Sequence, residues 1–243
     1  MFQFFVEPHQ IQGKEIIITG SDVNHMKNVL RMRAGEEVRI SDNAGRDFYC
    51  AINRIENETI SLTVQREAEG TESSLKITLF QGLPKGDKME MVIQKAVELG
   101  VSEIIPVAMK HCVVKLDEKR AKAKQARWQA IAESAAKQSK RSIIPIVGMP
   151  MGFAQAAEYA KKLDIRILPY ENQRGMAHTR EVFGNIRKGA SVGIFIGPEG
   201  GYDSAEIALA KDDMEMVSLG SRILRTETAG LCALSMLQYA VED

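Results

Sequence analysis

Up to residue 66 the chain reads mostly as short strand-length segments, several with apolar side chains two apart, and from residue 76 onward short apolar runs alternate with helix-length stripes. Glu15–Thr19 is rich in isoleucine, Glu37–Ser41 and Phe48–Ile55 alternate, and Thr59–Arg66 places Ile60, Leu62 and Val64 two apart. A strand turns successive side chains to opposite faces, so this spacing predicts half-buried strands. Asp42-Asn43-Ala44-Gly45 supplies turn chemistry between two of them. One short helix interrupts: Ser21 is placed to cap it, and Val23, Met26, Val29 and Leu30 form its apolar stripe. Short strands with one helix over about 70 residues suggest a small barrel.

Glu67–Ser74 is polar, lacks bulky apolar side chains and contains Gly70. That is linker composition, and it divides the chain into expected domains at 1–70 and 75–243. Beyond it Lys76–Phe80 reads as a strand. Asp87 is placed to cap a helix through Met89, Val92, Ile93, Ala96, Val97 and Leu99, which Gly100 stops. Ile104–Val107 is the next strand, and Glu118–Ser139 is a long helix with Trp128, Ile131, Ala132 and Ala135 on its stripe. Strands at Ile143–Val147, Ile165–Leu168, Val192–Ile196 and Met214–Ser218 follow, with helical patterns between them, and a last helix covers Thr226–Val241. Strands alternating with helices predict an α/β domain around a mostly parallel sheet.

The formal net charge is zero, which by itself speaks against a polyanionic partner. The zero is a cancellation. Residues 110–141 carry 10 basic and 3 acidic side chains, a net of +7, and every other stretch is near balance or mildly acidic. Such asymmetry points to a polyanion-binding surface or to a solvated helix face. The cysteines Cys50, Cys112 and Cys232 form no CxxC pair, and His9, His25, His111 and His178 are scattered, so neither a disulfide framework nor a metal site is expected. The N-terminus lacks a signal-peptide pattern and no apolar run is long enough for a bilayer. The expectation is a cytoplasmic protein without a membrane partner.

Two loops carry the chemistry. Val192-Gly-Ile-Phe-Ile-Gly-Pro-Glu-Gly-Gly-Tyr-Asp203 is a buried-type strand, a glycine-rich turn and a helix start at Asp203 or Ser204. Its spacing fits neither the dinucleotide fingerprint nor a P-loop. Leu219-Gly-Ser-Arg-Ile-Leu-Arg-Thr-Glu-Thr-Ala229 again leads from a strand into a helix, with Thr226 as its expected cap. Ligands of open α/β sheets sit at such strand ends.

Together these loops resemble the ribosomal RNA small subunit methyltransferase E family of the SPOUT superfamily. His25-x-x-x-Val29-Leu30-Arg31 near the N-terminus is similar to the family's PUA-like domain. The middle stretch Lys85-Gly86-Asp87-Lys88-Met89-Glu90-x-x-x-x-Lys95-x-x-Glu98-Leu99-Gly100 is also similar to the family. The resemblance implies an α/β fold: a C-terminal trefoil-knotted SPOUT methyltransferase domain preceded by a small PUA-like β-barrel domain. It implies S-adenosylmethionine as cofactor, methylation of uridine N3 at one site in 16S rRNA, a 16S rRNA or 30S subunit partner, and a homodimer.

On that basis Leu168, Pro169, Ile196, Gly197, Gly201, Leu219, Gly220 and Leu224 are expected around the cofactor. Arg225 is expected at the uridine or its developing charge. Glu199 and Glu227 are expected either to accept the N3 proton or to orient Arg225 and its loop. His25, Arg31, Arg33, Arg120, Lys124, Arg127 and Arg222 are the expected RNA-facing residues, with His25 chiefly structural.

Overall fold

The computed structural model describes residues 1–241. Strands β1 (Gln3–Phe5), β2 (Ile11–Gln12), β3 (Glu15–Thr19), β4 (Glu37–Ser41), β5 (Asp47–Ile55) and β6 (Thr59–Ala68) form one sheet in the order β1-β4-β5-β6-β3-β2. Only β1 and β4 pair in parallel; the other neighbours are antiparallel. The alternating pattern does what it predicts: Ile16, Ile18, Val38, Ile40, Cys50, Ile52, Ile60 and Leu62 meet in a single core. β1 was not legible, because its register with β4 spans more than 30 residues.

Helix α1 (Ser21–Asn24) runs into a wider π turn over His25–Val29. Ser21 does not cap it: Gly20 occupies the cap position and Ser21 is the first helical residue. The π turn also alters the expected stripe. Leu30 and Met32 donate to the carbonyls of His25 and Met26, both at 2.9 Å. Met26 is buried, but Val29 turns outward and is 65% exposed.

This unit comprises Met1–Glu72 and, from far along the chain, Ala136–Ile144. The late segment enters through polar groups. Ser142 Oγ donates to Asp47 Oδ2 at 2.5 Å, and Ser41 Oγ donates to the Ser142 carbonyl at 2.5 Å. Arg39 Nη2 donates to the same Asp47 oxygen at 2.6 Å. Arg141 pairs with Glu72, and Gln3 Nε2 donates to the Arg141 carbonyl. The strand expected at Ile143–Val147 is therefore shorter. The amides of Ile143 and Ile144 are taken by Glu72 Oε1 and Asn43 Oδ1, which leaves only Ile146–Val147 for strand pairing.

The second unit is Ser73–Ala135 with residues 145–241. It holds β7 (Lys76–Gly82), β8 (Glu103–Ala108), β9 (Ile146–Val147), β10 (Met151–Gly152), β11 (Ile165–Pro169), β12 (Ser191–Ile196) and β13 (Glu215–Val217). The strand path is β10-β8-β7-β12-β11-β13, with β9 beside β8, and every pairing is parallel. Ile77, Leu79, Ile104, Ile167, Val192 and Ile194 are buried in it. The near-continuous apolar runs follow from burial of a parallel sheet on both faces.

The helices are α2 (Lys88–Glu98), α3 (Glu118–Ser139), α4 (Phe153–Ala160), α5 (Ala177–Gly184), α6 (Ser204–Ala210) and α7 (Thr226–Val241). Trp128 is buried, as its place on the α3 stripe predicts. Asp203 caps α6 by accepting from the Ala205 amide at 3.0 Å. Asp87 occupies the cap position of α2 without a side-chain cap bond. Among the described residues no helix is long and apolar enough to cross a membrane.

Candidate functional site

The carboxyl ends of β11, β12 and β13 lead into loops that surround a cleft of about 1070 Å³. That size suits a nucleoside-bearing ligand. Pro169, Ile196, Gly197, Gly201, Leu219, Gly220 and Leu224 all line it, together with Glu199, Arg222 and Arg225. Leu168 does not: it is fully buried in the sheet, one residue short of the cleft.

The walls are joined by buried hydrogen bonds. Gln81 Nε2, at the end of β7, donates to Thr226 Oγ1 at 2.9 Å, and that hydroxyl donates to the Gly197 carbonyl at 2.7 Å. Thr226 thus begins α7 but does not cap it. Its hydroxyl ties the glycine loop to the sheet, while the Arg225 carbonyl accepts from the Thr228 and Ala229 amides. Gly201 (φ 69°) and Gly220 (φ 116°) hold left-handed backbone, and nothing lies within 4 Å of where a Cβ would stand. A side chain there would be strained and would occupy space a ligand can use.

Lys88 belongs to the family-like middle stretch, but the sequence reading gave it no role. As the first residue of α2 it lines the cleft. Its Nζ lies 3.2 Å from Glu199 Oε1 and 3.1 Å from Glu227 Oε2. Glu199 also accepts from the Lys85 amide at 3.1 Å. A cation in a first helical turn opposes the helix dipole, so a lysine there calls for acidic partners, and that was the available signal. Hydrogen bonds to Glu227 and Glu199 hold the Lys88 ammonium above its ordinary range.

The carboxylates respond in the opposite sense. Burial pushes Glu199 up, but hydrogen bonds from its own amide, the Lys85 amide and Lys88 outweigh it and hold the carboxyl below its usual range. Burial likewise raises Glu227, and its own amide, Lys88 and the Arg225 charge bring it down. Both are ionised and weakly basic at neutral pH. Arg225 is exposed and, among the described residues, makes no side-chain hydrogen bond or ion pair. Arg174 also lines the cleft and was not foreseen.

The expected RNA-facing residues differ in how far each is paired within its own unit. Arg120 pairs with Asp117 at 3.4 Å and Arg127 with Glu90 at 2.8 Å. Lys124 is half-buried beside Trp128 in a separate cavity of about 290 Å³. Within the first unit, Lys137 and Arg141 are matched by Asp22 and Glu72. Arg127, Lys137 and Arg141 are thus paired with acids outside the 110–141 segment. Arg31 and Arg33 are exposed without ion pairs among the described residues, and Arg31 holds φ 54°. Such a backbone is uncommon for a non-glycine residue. His25 packs edge-to-face on Phe4 with centroids 6.3 Å apart.

Residues 71–238 match the family model of the RNA methyltransferase domain, and residues 18–65 match that of the RNA methyltransferase PUA domain. The ribosomal RNA small subunit methyltransferase E of Bacillus subtilis is 37% identical, over 100% of this chain and 98% of its own. This chain belongs to the ribosomal RNA small subunit methyltransferase E family. The Mesomycoplasma hyopneumoniae member is 31% identical over the whole of both chains. The crystal structure of the Neisseria gonorrhoeae member, bound to S-adenosyl methionine, superposes with a TM-score of 0.83. It is 33% identical and covers 98% of this chain and 97% of that one. The two loops that carry the family motifs are those that face each other across the cleft.

Proposed function

We propose that the protein methylates N3 of a single uridine in 16S rRNA of the small subunit, with S-adenosylmethionine as donor. The observation that carries this reading is the cleft itself, where two glycine-bearing family loops meet an unpaired Arg225. The residues fit the donor. Ile196, Leu219 and Leu224 offer apolar surface to an adenosyl group, and Gly201 and Gly220 leave room beside the backbone. When bound, the donor supplies an electrophilic methyl group on a sulfonium, already a good leaving group.

The protein must align N3 with that methyl group and ease loss of the N3 proton. The uridine has to be unpaired or flipped out, since N3 lies on its pairing edge. Arg225 stabilises the charge that spreads onto the uridine O2 and O4 as N3 loses its proton. Glu199 and Glu227 share one lysine and lie below the usual carboxylate range. That favours their orienting role over proton acceptance. Lys88→Met should slow single-turnover methyl transfer about 10- to 100-fold, the worth of charge-assisted hydrogen bonds. An unchanged rate would remove the Lys88 clamp from the mechanism.

The first unit is proposed as a PUA-like barrel that binds RNA through Arg31 and Arg33, and the second as a trefoil-knotted SPOUT domain. Support for the knotted domain is the match of residues 71–238 to the RNA methyltransferase family model. A homodimer in the cytoplasm completes the reading. Ile223 and Tyr239 support it as apolar side chains 85% and 90% exposed in the family loop and on α7. Neutralising Arg31 and Arg33 together should weaken RNA binding and lower its salt slope by about one per lost phosphate contact. A salt slope equal to the wild type's would exclude these arginines.

The decisive experiment incubates the protein with labelled donor and undermethylated 30S particles or 16S rRNA, then maps the modified base. N3-methyluridine at one position is expected; methylation of another base or another RNA refutes the reading.

A further inference from the structure

His111 lies outside the cleft, yet its ring holds the glycine loop. Its Nδ1 is 3.0 Å from the Gly200 carbonyl oxygen and 3.3 Å from that of Gly201. Carbonyl oxygens only accept, so Nδ1 carries the proton and donates. Nε2 is left facing Asp203, 3.7 Å from Oδ2. Packing agrees with this bonding. A Cβ on Gly200 would stand 2.8 Å from His111 Cβ, so a glycine is what lets the two backbones come this close.

The turn bearing His111 is itself anchored. The Cys112 amide donates to the Met109 carbonyl at 3.1 Å, and the Lys110 amide donates to Glu206 Oε1 at 2.8 Å. The other Glu206 oxygen accepts from the Asp203 amide at 2.9 Å. The exit of β8, the glycine loop and the start of α6 are thus one hydrogen-bonded assembly, bridged by an imidazole.

The bridge governs peptide orientation. In a planar trans peptide the N–H points opposite the C=O. Fixing the Gly200 carbonyl therefore fixes the Gly201 amide, which donates to the Pro198 carbonyl at 2.9 Å. Fixing the Gly201 carbonyl places the Tyr202 amide on the side away from His111. Glycines are the residues whose peptides turn most freely, so the loop's shape is least secure where His111 holds it.

We propose that His111 is a positioning residue for cofactor binding: by donating to the carbonyls of Gly200 and Gly201 it keeps the loop in its binding shape before the donor arrives. A preordered loop loses less conformational freedom on binding and so binds more tightly. The proposal rests on the reading that this loop holds S-adenosylmethionine.

The test measures donor affinity by calorimetry on the full chain, without turnover, for wild type, His111→Ala, His111→Asn and Gly201→Val. His111→Ala should raise the Kd about five- to tenfold, the worth of a lost hydrogen bond, with the loss confined to affinity and kcat kept at saturating donor. His111→Asn puts an amide donor near the Nδ1 position and should recover most of the affinity. Amide exchange at Gly201 and Tyr202 should quicken in His111→Ala without donor present. Wild-type affinity in His111→Ala alongside weak binding in Gly201→Val overturns the proposal, as does an equal loss in His111→Asn and His111→Ala. Wild-type affinity in Gly201→Val sinks the cofactor reading of the loop, and the proposal with it.

Discussion

Arg225→Ala is expected to reduce methyl transfer to small-subunit RNA by about 10²- to 10³-fold, the usual cost of removing a group aimed at developing transition-state charge. Donor binding should persist, because the cleft's apolar walls and glycine loops are untouched by the change. The separation follows from where the guanidinium stands. It lines the cleft, is exposed, and is not used in any side-chain hydrogen bond or ion pair among the described residues. Arg225→Lys should recover only part of the loss, since an ammonium is a point charge without the planar fork of a guanidinium. Single-turnover rates and a donor binding isotherm on the same preparation decide the matter. Turnover near that of wild type would exclude Arg225 from the chemistry.

Asp47→Ala should destabilise the first unit by about 3–5 kcal/mol, the range for breaking a buried ion pair from one side. Asp47 Oδ2 serves both Arg39 at 2.6 Å and Ser142 at 2.5 Å. Without it the buried Arg39 guanidinium keeps only the Glu69 carbonyl, at 2.8 Å, among its described hydrogen bonds. Replacing both members of the pair, Asp47→Ala with Arg39→Met, should cost less than the single change, because no uncompensated charge stays buried. Urea unfolding of the single and double variants measures both. A loss below about 1 kcal/mol for Asp47→Ala would place this cluster with ordinary surface pairs.

What the sequence made legible is local and periodic. β3 and β4 were expected at the residues they occupy, and so were α3 and α7, because period and length fix them without reference to the rest of the chain. Where partners lie far apart, the signal fails. Nothing around residues 136–144 announces that Ser142 will meet Asp47, 95 positions earlier. Hydrogen bonds between side chains and backbone leave no periodicity to read. The same holds at the site. The glycine loops declare themselves by composition, whereas Lys88 matters because Glu199 and Glu227, 111 and 139 positions away, are brought to its Nζ. Leu168 shows the limit of reading a wall from a strand end: a shift of one residue in a parallel sheet decides between core and cleft.

The return of residues 136–144 to the first unit means the chain passes between the two units three times, after residues 72, 135 and 144. The sheet of the first unit is therefore not a cassette. A gene segment ending at residue 74 would encode every one of its strands and omit Ser142, Arg141 and the other late residues that satisfy its buried polar groups. Recombination at a single point could transfer this unit complete only together with residues 73–135 of the other. It would be inherited together with the helix that delivers those residues, so its history is tied to that of the catalytic unit it accompanies.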